Sequence, residues 1–450
     1  MFSDKKHLKK LKTGPIERRL SLAKAGVLAG ARYARRSAST WLLPEEERLA
    51  AKKRNMSDEA AYFVAELGKL KGSVVKVGQT LALWGEAFLP KEVTEALHAL
   101  DNQTFPMAWP ELREQLVSEL GANVVARLEI HSDPLGCASL AQVHLAKAPD
   151  IESQLCLKIQ YPGVSDSIDS DLAAIAYWLQ LTRLVPASKS LESWLSVIRE
   201  MLHNEVDYER ELAATQRFVE YLAEDTNYVV PKPYPELCSP RVLASQYQAG
   251  VRLNDPTVLA LSQTRRNRLG LLCIDLFWKE VMQWGELQTD PNLGNYLVKL
   301  QPDEQDQLVL LDFGAIYCLS PSLMRVGKQL IVGAVEQDRE AVKQALLDLD
   351  FLSEAAPEPV FEALYQLVEL ALEPFLTAAP YDWGQSDIVN RIARHVTNAA
   401  FSRHFKMPPK ELVFVSRKIL GAYTILCLLN AILPGKDILQ PYLSLDFHAS

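Results

Sequence analysis

The apolar positions of the stretch SDEAAYFVAELGKLKGSVVKVGQTLALWGEAFL, residues 57–89, recur at helical spacing, with Ala60, Phe63, Val64 and Leu67 on one face. Ser57 stands where a helix N-cap belongs, acids follow it in the first turn, and the pattern stops near Pro90. Between residues 124 and 160 the period shortens. VARLEI, SLAQVHLAKA and QLCLKIQY read as short strands separated by the turn-forming HSDPLG and APDIES, which predicts a small antiparallel sheet. Helical periodicity returns over 166–184 and 190–224, a strand candidate follows at 241–247, and a helix is expected over 260–285. QLVLLDF, residues 307–313, has the length and composition of a buried strand, and beyond residue 320 the pattern is helical throughout, with a Pro-rich break near 374–380. A small β-rich part followed by a helical part, with no internal repeat, predicts an α+β fold of two lobes.

Length supports that division, because 450 residues exceed one ordinary hydrophobic core. Charge adds an asymmetry. Residues 1–36 hold eleven Lys/Arg and two acids, net +9, so a total of −8 leaves −17 for the rest. Within this basic arm Ile16, Leu20, Ala23 and Val27 recur at helical spacing beside Arg18, Arg19, Lys24, Arg32, Arg35 and Arg36, a pattern suited to anionic lipid, to organelle targeting or to a solvated tail. The acidic remainder repels phosphate backbones and disfavours nucleic acid as a partner. Six cysteines without a C-x-x-C pair or zinc spacing argue against a disulfide framework and for a reducing compartment. The longest apolar run, residues 419–433, would span roughly 22 Å as a helix, against about 30 Å of bilayer hydrocarbon, and reads as buried.

ATP-dependent phosphoryl transfer needs a backbone cradle for phosphates, a cation to hold them, oxygen ligands for Mg²⁺ and a base for the acceptor. Candidates occur in that order. PLGCASLAQVH, 134–144, lies between two strand-like segments, and Gly136, Cys137, Ala138 and Ser139 are small enough for close backbone approach, although the same stretch also reads as a simple hairpin turn. Lys158 projects from the strand LCLKIQ and needs a carboxylate partner from LHNEVDYERE, 202–211. Glu205 and Asp207 do not share a face of one regular helix, whereas Glu205 and Glu209 do, so spacing does not choose the partner. The strongest local signal is Asp290, followed five residues later by Asn295, then by the strand ending in Asp312-Phe313-Gly314. In the protein-kinase scheme Asn295 and Asp312 bind metal and Asp290 accepts the substrate proton. The single-glycine loop and the Gln288-Thr289 pair in place of His-Arg speak against a conventional protein kinase.

Taken together these motifs resemble the UbiB/AarF family of atypical kinase-like proteins, whose eukaryotic members support coenzyme Q biosynthesis. The resemblance covers roughly residues 60–330. It rests on KVGQ (Lys76 to Gln79), CASLAQVH (137–144), KIQYPGV (158–164), EVD (Glu205 to Asp207) and the set Asp290, Asn295 and Asp312. It implies an atypical protein-kinase-like bilobal fold with a small antiparallel β N-lobe, a mostly helical C-lobe and an N-terminal helical extension carrying Lys76 and Gln79 across the acceptor site. The implied organisation is a basic arm at 1–55, the extension at 56–110, the N-lobe at 111–255 and the C-lobe at 256–450. Glu205 is implied as the partner of Lys158, and Asp207 as part of the network linking the extension to the site. The implied cofactors are ATP and Mg²⁺ or Mn²⁺. The implied activity is a membrane-stimulated ATPase or small-molecule kinase supporting ubiquinone biosynthesis, with a nucleotide-switched pseudokinase scaffold or chaperone as the alternative. Peripheral membrane lipid, isoprenoid quinone precursors, quinone-biosynthesis enzymes or a second copy of the chain are the implied partners, and the inner face of a membrane, in a cytoplasm or a mitochondrial matrix, is the implied location. Gly136-Cys137 departs from the alanines common in the family, and Gln288-Thr289 resembles the coenzyme Q-supporting branch.

Overall fold

A computed structural model of the chain describes residues 106–181, 189–290, 292–400 and 410–444, with a few earlier positions that include Lys76, Val77 and Gly78. The basic arm at 1–36, most of the helical stretch at 57–89 and Gln79 lie outside the described residues. The chain divides into two compact units, Met1–Ala213 with Lys232–Tyr247 and Ala214–Pro231 with Gln248–Ser450. It therefore passes from one unit to the other three times, where the organisation implied by the resemblance has a single passage at 255–256.

The first unit is built on an antiparallel sheet ordered Glu129–Ile130, Ala141–Ala148, Ile151–Gln160, Val242–Gln246, with Gly136–Cys137 also paired to Ala141–Ala148. Period-two alternation explains its burial. Leu155, Leu157 and Ile159 are fully buried on one face, and Cys156 and Lys158 take the other. Burying each of the three contributes on the order of 2 kcal/mol. Helices Trp109–Leu120, Val164–Leu181 and Lys189–Glu205 supply Leu112, Leu116, Ile168, Ile175 and Ile198 to the same core. VARLEI is not a strand throughout: Ala122–Arg127 is helical, and only Glu129–Ile130 pairs. Likewise 190–224 is not one helix. Lys189–Glu205 ends at Val206, and Tyr208–Tyr221 starts afresh behind Asp207, whose Oδ1 accepts from the Arg210 amide at 3.0 Å.

The second unit has a four-stranded sheet ordered Tyr228–Val229, Gln307–Leu310, Tyr296–Lys299, Val251–Arg252, parallel at the first pairing and antiparallel at the others. A separate two-stranded ribbon pairs Glu286–Gln288 with Ile316–Cys318, placing Gln288 opposite Ile316. Helix Gln263–Trp278 is capped by Ser262 and buries Leu269, Leu272, Ile274, Leu276, Phe277 and Trp278. It widens into a π-helical turn, Lys279–Trp284, which Gly285 ends at φ 66°. That left-handed conformation selects glycine, while the nearest atoms a side chain would meet belong to the flexible Met324. The remaining helices, Pro321–Val335, Arg339–Asp348, Glu358–Leu376, Ile388–Ala400, Lys410–Leu428 and Gly435–Leu443, follow the expected pattern, interrupted by an unexpected short pairing of Tyr381–Asp382 with Ile432–Leu433.

Candidate active site

In the first unit Lys158 sits opposite Val143 and Leu243 in the sheet. Its ammonium donates to both oxygens of Glu211, at 2.7 and 2.8 Å, and lies 5.1 Å from the centre of the Tyr208 ring. Glu211 is 2% exposed, so its charge requires this partner. The expectation that Glu205 pairs with Lys158 is therefore corrected. Glu205 instead accepts from Lys76 at 2.5 Å. The helix break at 206–207 is the physical reason: it resets the helical phase, so faces counted from Glu205 through an unbroken helix do not apply. Asp207 is exposed, and its carboxylate caps the helix that carries Glu211.

The phosphate-loop candidate is a tight hairpin. Gly136 and Cys137 pair with Val143 and Gln142, and the Ala138 amide donates to the Ala141 carbonyl at 2.9 Å, so Ala138 and Ser139 occupy the turn. The rest of SLAQVH is structural. Gln142 Oε1 accepts from the Met107 amide at 2.8 Å while its Nε2 donates to the Met107 carbonyl at 3.3 Å, which ties the incoming segment to the sheet. His144, fully buried, donates from Nδ1 to the His131 carbonyl at 2.8 Å and presents Nε2 to the Gln142 amide nitrogen at 3.3 Å. Those roles fit only a neutral ring. Burial also lowers its pKa, partly opposed by the His131 carbonyl and Asp133.

In the second unit Asp290, Asn295 and Asp312 come together around Gln288. Asn295 Nδ2 donates to Asp290 Oδ2 at 3.0 Å, and the Leu311 amide donates to the Asn295 carbonyl at 3.0 Å, which sets Asp312 beside Asn295 on one small cavity. Gln288, only 5% exposed, joins the two acidic residues. Its Oε1 accepts from the Asp290 amide at 2.9 Å, and its Nε2 donates to the Asp312 carbonyl at 3.4 Å. Thr289 locks the same ribbon, since its amide and hydroxyl both donate to the Ala315 carbonyl, at 2.9 and 2.8 Å. Phe313 is buried with its ring 4.6 Å from that of Phe218, and Asp312 Oδ1 accepts from the Gly314 amide at 2.9 Å, turning the chain. Arg417 approaches Asp290 Oδ1 at 3.8 Å.

Residues 99–346 match the ABC1 atypical kinase-like domain, more than half of the chain. The chain belongs to the ABC1 atypical kinase-like family. It is 29% identical over 379 residues to the mitochondrial atypical kinase COQ8 of Schizosaccharomyces pombe, covering 84% of this chain and 61% of that one. It is equally similar over 384 residues to the mitochondrial atypical kinase COQ8B of Rattus norvegicus, covering 85% and 71%. Among solved structures, that of Rv3197 from Mycobacterium tuberculosis in complex with erythromycin superimposes with a TM-score of 0.58 at 21% identity, over 88% of this chain and 98% of that one, a likeness of fold. The chain thus spans about three fifths of the S. pombe relative's length.

Within this ABC1 chain the sequence reading missed Glu211, Glu280 and Lys418, and it noted Gln288 as a departure from His-Arg without assigning the contacts it makes. A signal for Glu211 was present. Asp207 before an acidic first turn marks a helix start, which would have restarted the face count four residues before Glu211. Glu280 and Lys418 carry no local signal, because their pairing joins positions 138 residues apart.

Proposed function

We propose that this chain binds ATP with Mg²⁺ and turns it over, as an atypical kinase-like ATPase or small-molecule kinase that supports ubiquinone synthesis at a membrane surface. The observation that carries the proposal is the cluster of Asp290, Asn295 and Asp312 around Gln288, a set of hydrogen bonds that a decayed site has no reason to keep. Asn295 commits its amide nitrogen to Asp290, so its carbonyl oxygen is the atom left to ligate, and with the Asp312 carboxylate it offers hard oxygen donors that fit Mg²⁺. Bound there, Mg²⁺ supplies charge neutralisation for the phosphates. Within the first unit, Lys158, fixed by Glu211, and the hairpin at 136–139 are the phosphate-binding candidates of this reading. Asp290, oriented by Asn295 and its own amide contact, holds the proton of the attacking hydroxyl or water. Gln79 with Lys76 belongs to the acceptor-side extension in this reading.

The name of the S. pombe relative carries the word mitochondrial, and no helix among the described residues is long and apolar enough to cross a membrane. In this reading the membrane association is peripheral, with quinone precursors as the small-molecule partners. ATP hydrolysis measured with and without anionic liposomes and a phenolic quinone precursor tests the proposal. Turnover raised by the additions and abolished in Asp312→Asn supports it. Nucleotide binding without turnover under every condition overturns the ATPase reading and leaves the scaffold.

A further inference from the structure

Beneath the 288–290 turn two buried charges meet. Lys418, on helix Lys410–Leu428, reaches Glu280 Oε1 and Oε2 at 2.9 and 2.7 Å and lines one small cavity with Tyr296. Their side chains are 8% and 1% exposed. An apolar pair of similar volume would be about as stable at such a position, so the charges call for another reason. Glu280 supplies one. Its Oε2 also accepts from the backbone amide of Gln288 at 2.9 Å, a buried donor that an apolar side chain would leave unmatched. From Gln288 the hydrogen bonds divide to the Asp290 amide and the Asp312 carbonyl. Glu280 reaches this place because the chain takes a π-helical turn at Lys279–Trp284, a departure from α-geometry that is frequent at functional sites.

We infer that the Lys418–Glu280 pair is a strut that positions Gln288 and, through it, Asp290 and Asp312, so that a helix beyond the matched family domain sets the geometry of phosphoryl transfer. Lys418 and Glu280 are positioning residues, acting through Gln288. Burial works against both charges, raising the pKa of Glu280, while at Lys418 the influence of Glu280 and Tyr296 together outweighs burial and leaves its pKa above the ordinary value. The inference rests on the nucleotide site proposed above.

Two double variants separate the strut from a merely structural pair. Glu280→Leu/Lys418→Met removes both charges and the acceptor, whereas Glu280→Gln/Lys418→Met removes the charges and keeps an acceptor for the Gln288 amide. The expected result is a loss of about tenfold or more in kcat for the Leu/Met variant, with the KM for Mg·ATP within about threefold, and a smaller loss for the Gln/Met variant, which keeps the acceptor for the Gln288 amide but lacks the Lys418 contact that holds it. Hydrogen exchange gives a readout independent of turnover: peptides spanning 286–295 and 310–314 exchange faster in the Leu/Met variant than in the Gln/Met variant. Equal behaviour of the two variants overturns the strut, as does faster exchange confined to 410–428. If the wild type binds no Mg·ATP, the proposed function fails, and the exchange comparison still decides the strut.

Discussion

Lys158 and Glu211 meet through both carboxylate oxygens, at 2.7 and 2.8 Å, while Glu205, six residues earlier, holds Lys76. Two acids that look interchangeable in the sequence therefore serve two different lysines. The buried one, Glu211, fixes Lys158, the cation proposed for the phosphates, and the more exposed one holds Lys76.

Substitution at the two positions should separate these roles. Glu211→Gln keeps the shape but removes the charge that orients Lys158, and kcat/KM for ATP should fall by about 10- to 100-fold, as expected when a close charge partner is lost from a site. Glu205→Gln should leave Mg·ATP affinity within about threefold, because Lys158 keeps Glu211. Calorimetric titration of both variants with Mg·ATP checks the difference.

Gln288 stands where a protein kinase has histidine, and its side chain spans the Asp290 amide and the Asp312 carbonyl. Gln288→Ala should lower turnover by about tenfold or more while nucleotide affinity changes little, since the carboxylates remain but their spacing loosens. Gln288→His supplies one donor and one acceptor nitrogen and should recover part of the loss. Steady-state kinetics beside nucleotide titrations distinguish this from general destabilisation, which would lower both.

Much of this was legible in the sequence, and what was not has physical causes. Period-two alternation located the strand of Lys158, and the spacing from Asp290 to Asn295 and on to Asp312-Phe313-Gly314 located residues that the structure gathers around Gln288. The partner of Lys158 was hidden by a helix break that moves Glu211, not Glu205, into reach. Pairings such as Glu280 with Lys418 depend on tertiary packing between distant helices and leave no local period to read. The short ribbon of Tyr381–Asp382 with Ile432–Leu433 was missed for the same reason, each strand being two residues long.

His144 predicts an acid limit for the first unit. Burial, the larger influence, lowers its pKa below the ordinary value near 6.5, against the raising effect of the His131 carbonyl and Asp133. The unfolded chain therefore takes up a proton near pH 6.5 that the folded ring refuses until lower pH. Its contribution is constant above pH 6.5, and stability declines as the pH falls from there toward the folded value. His144→Gln should remove that part of the decline, seen as a shallower fall of the denaturant midpoint between pH 7 and 5. A slope identical to wild type would place the acid sensitivity elsewhere.

The central claim is a metal-dependent nucleotide site at Asn295 and Asp312. Isothermal titration of the full chain with ATP, with Mg²⁺ present and with the metal chelated, tests it most directly, with Asp312→Asn as the comparison. The account predicts binding that requires Mg²⁺ and weakens by about tenfold or more in Asp312→Asn, the scale expected when a charged ligand to the phosphate-bound metal is lost. Absence of Mg²⁺-dependent binding in the wild type, or equal affinity in the variant, would contradict it.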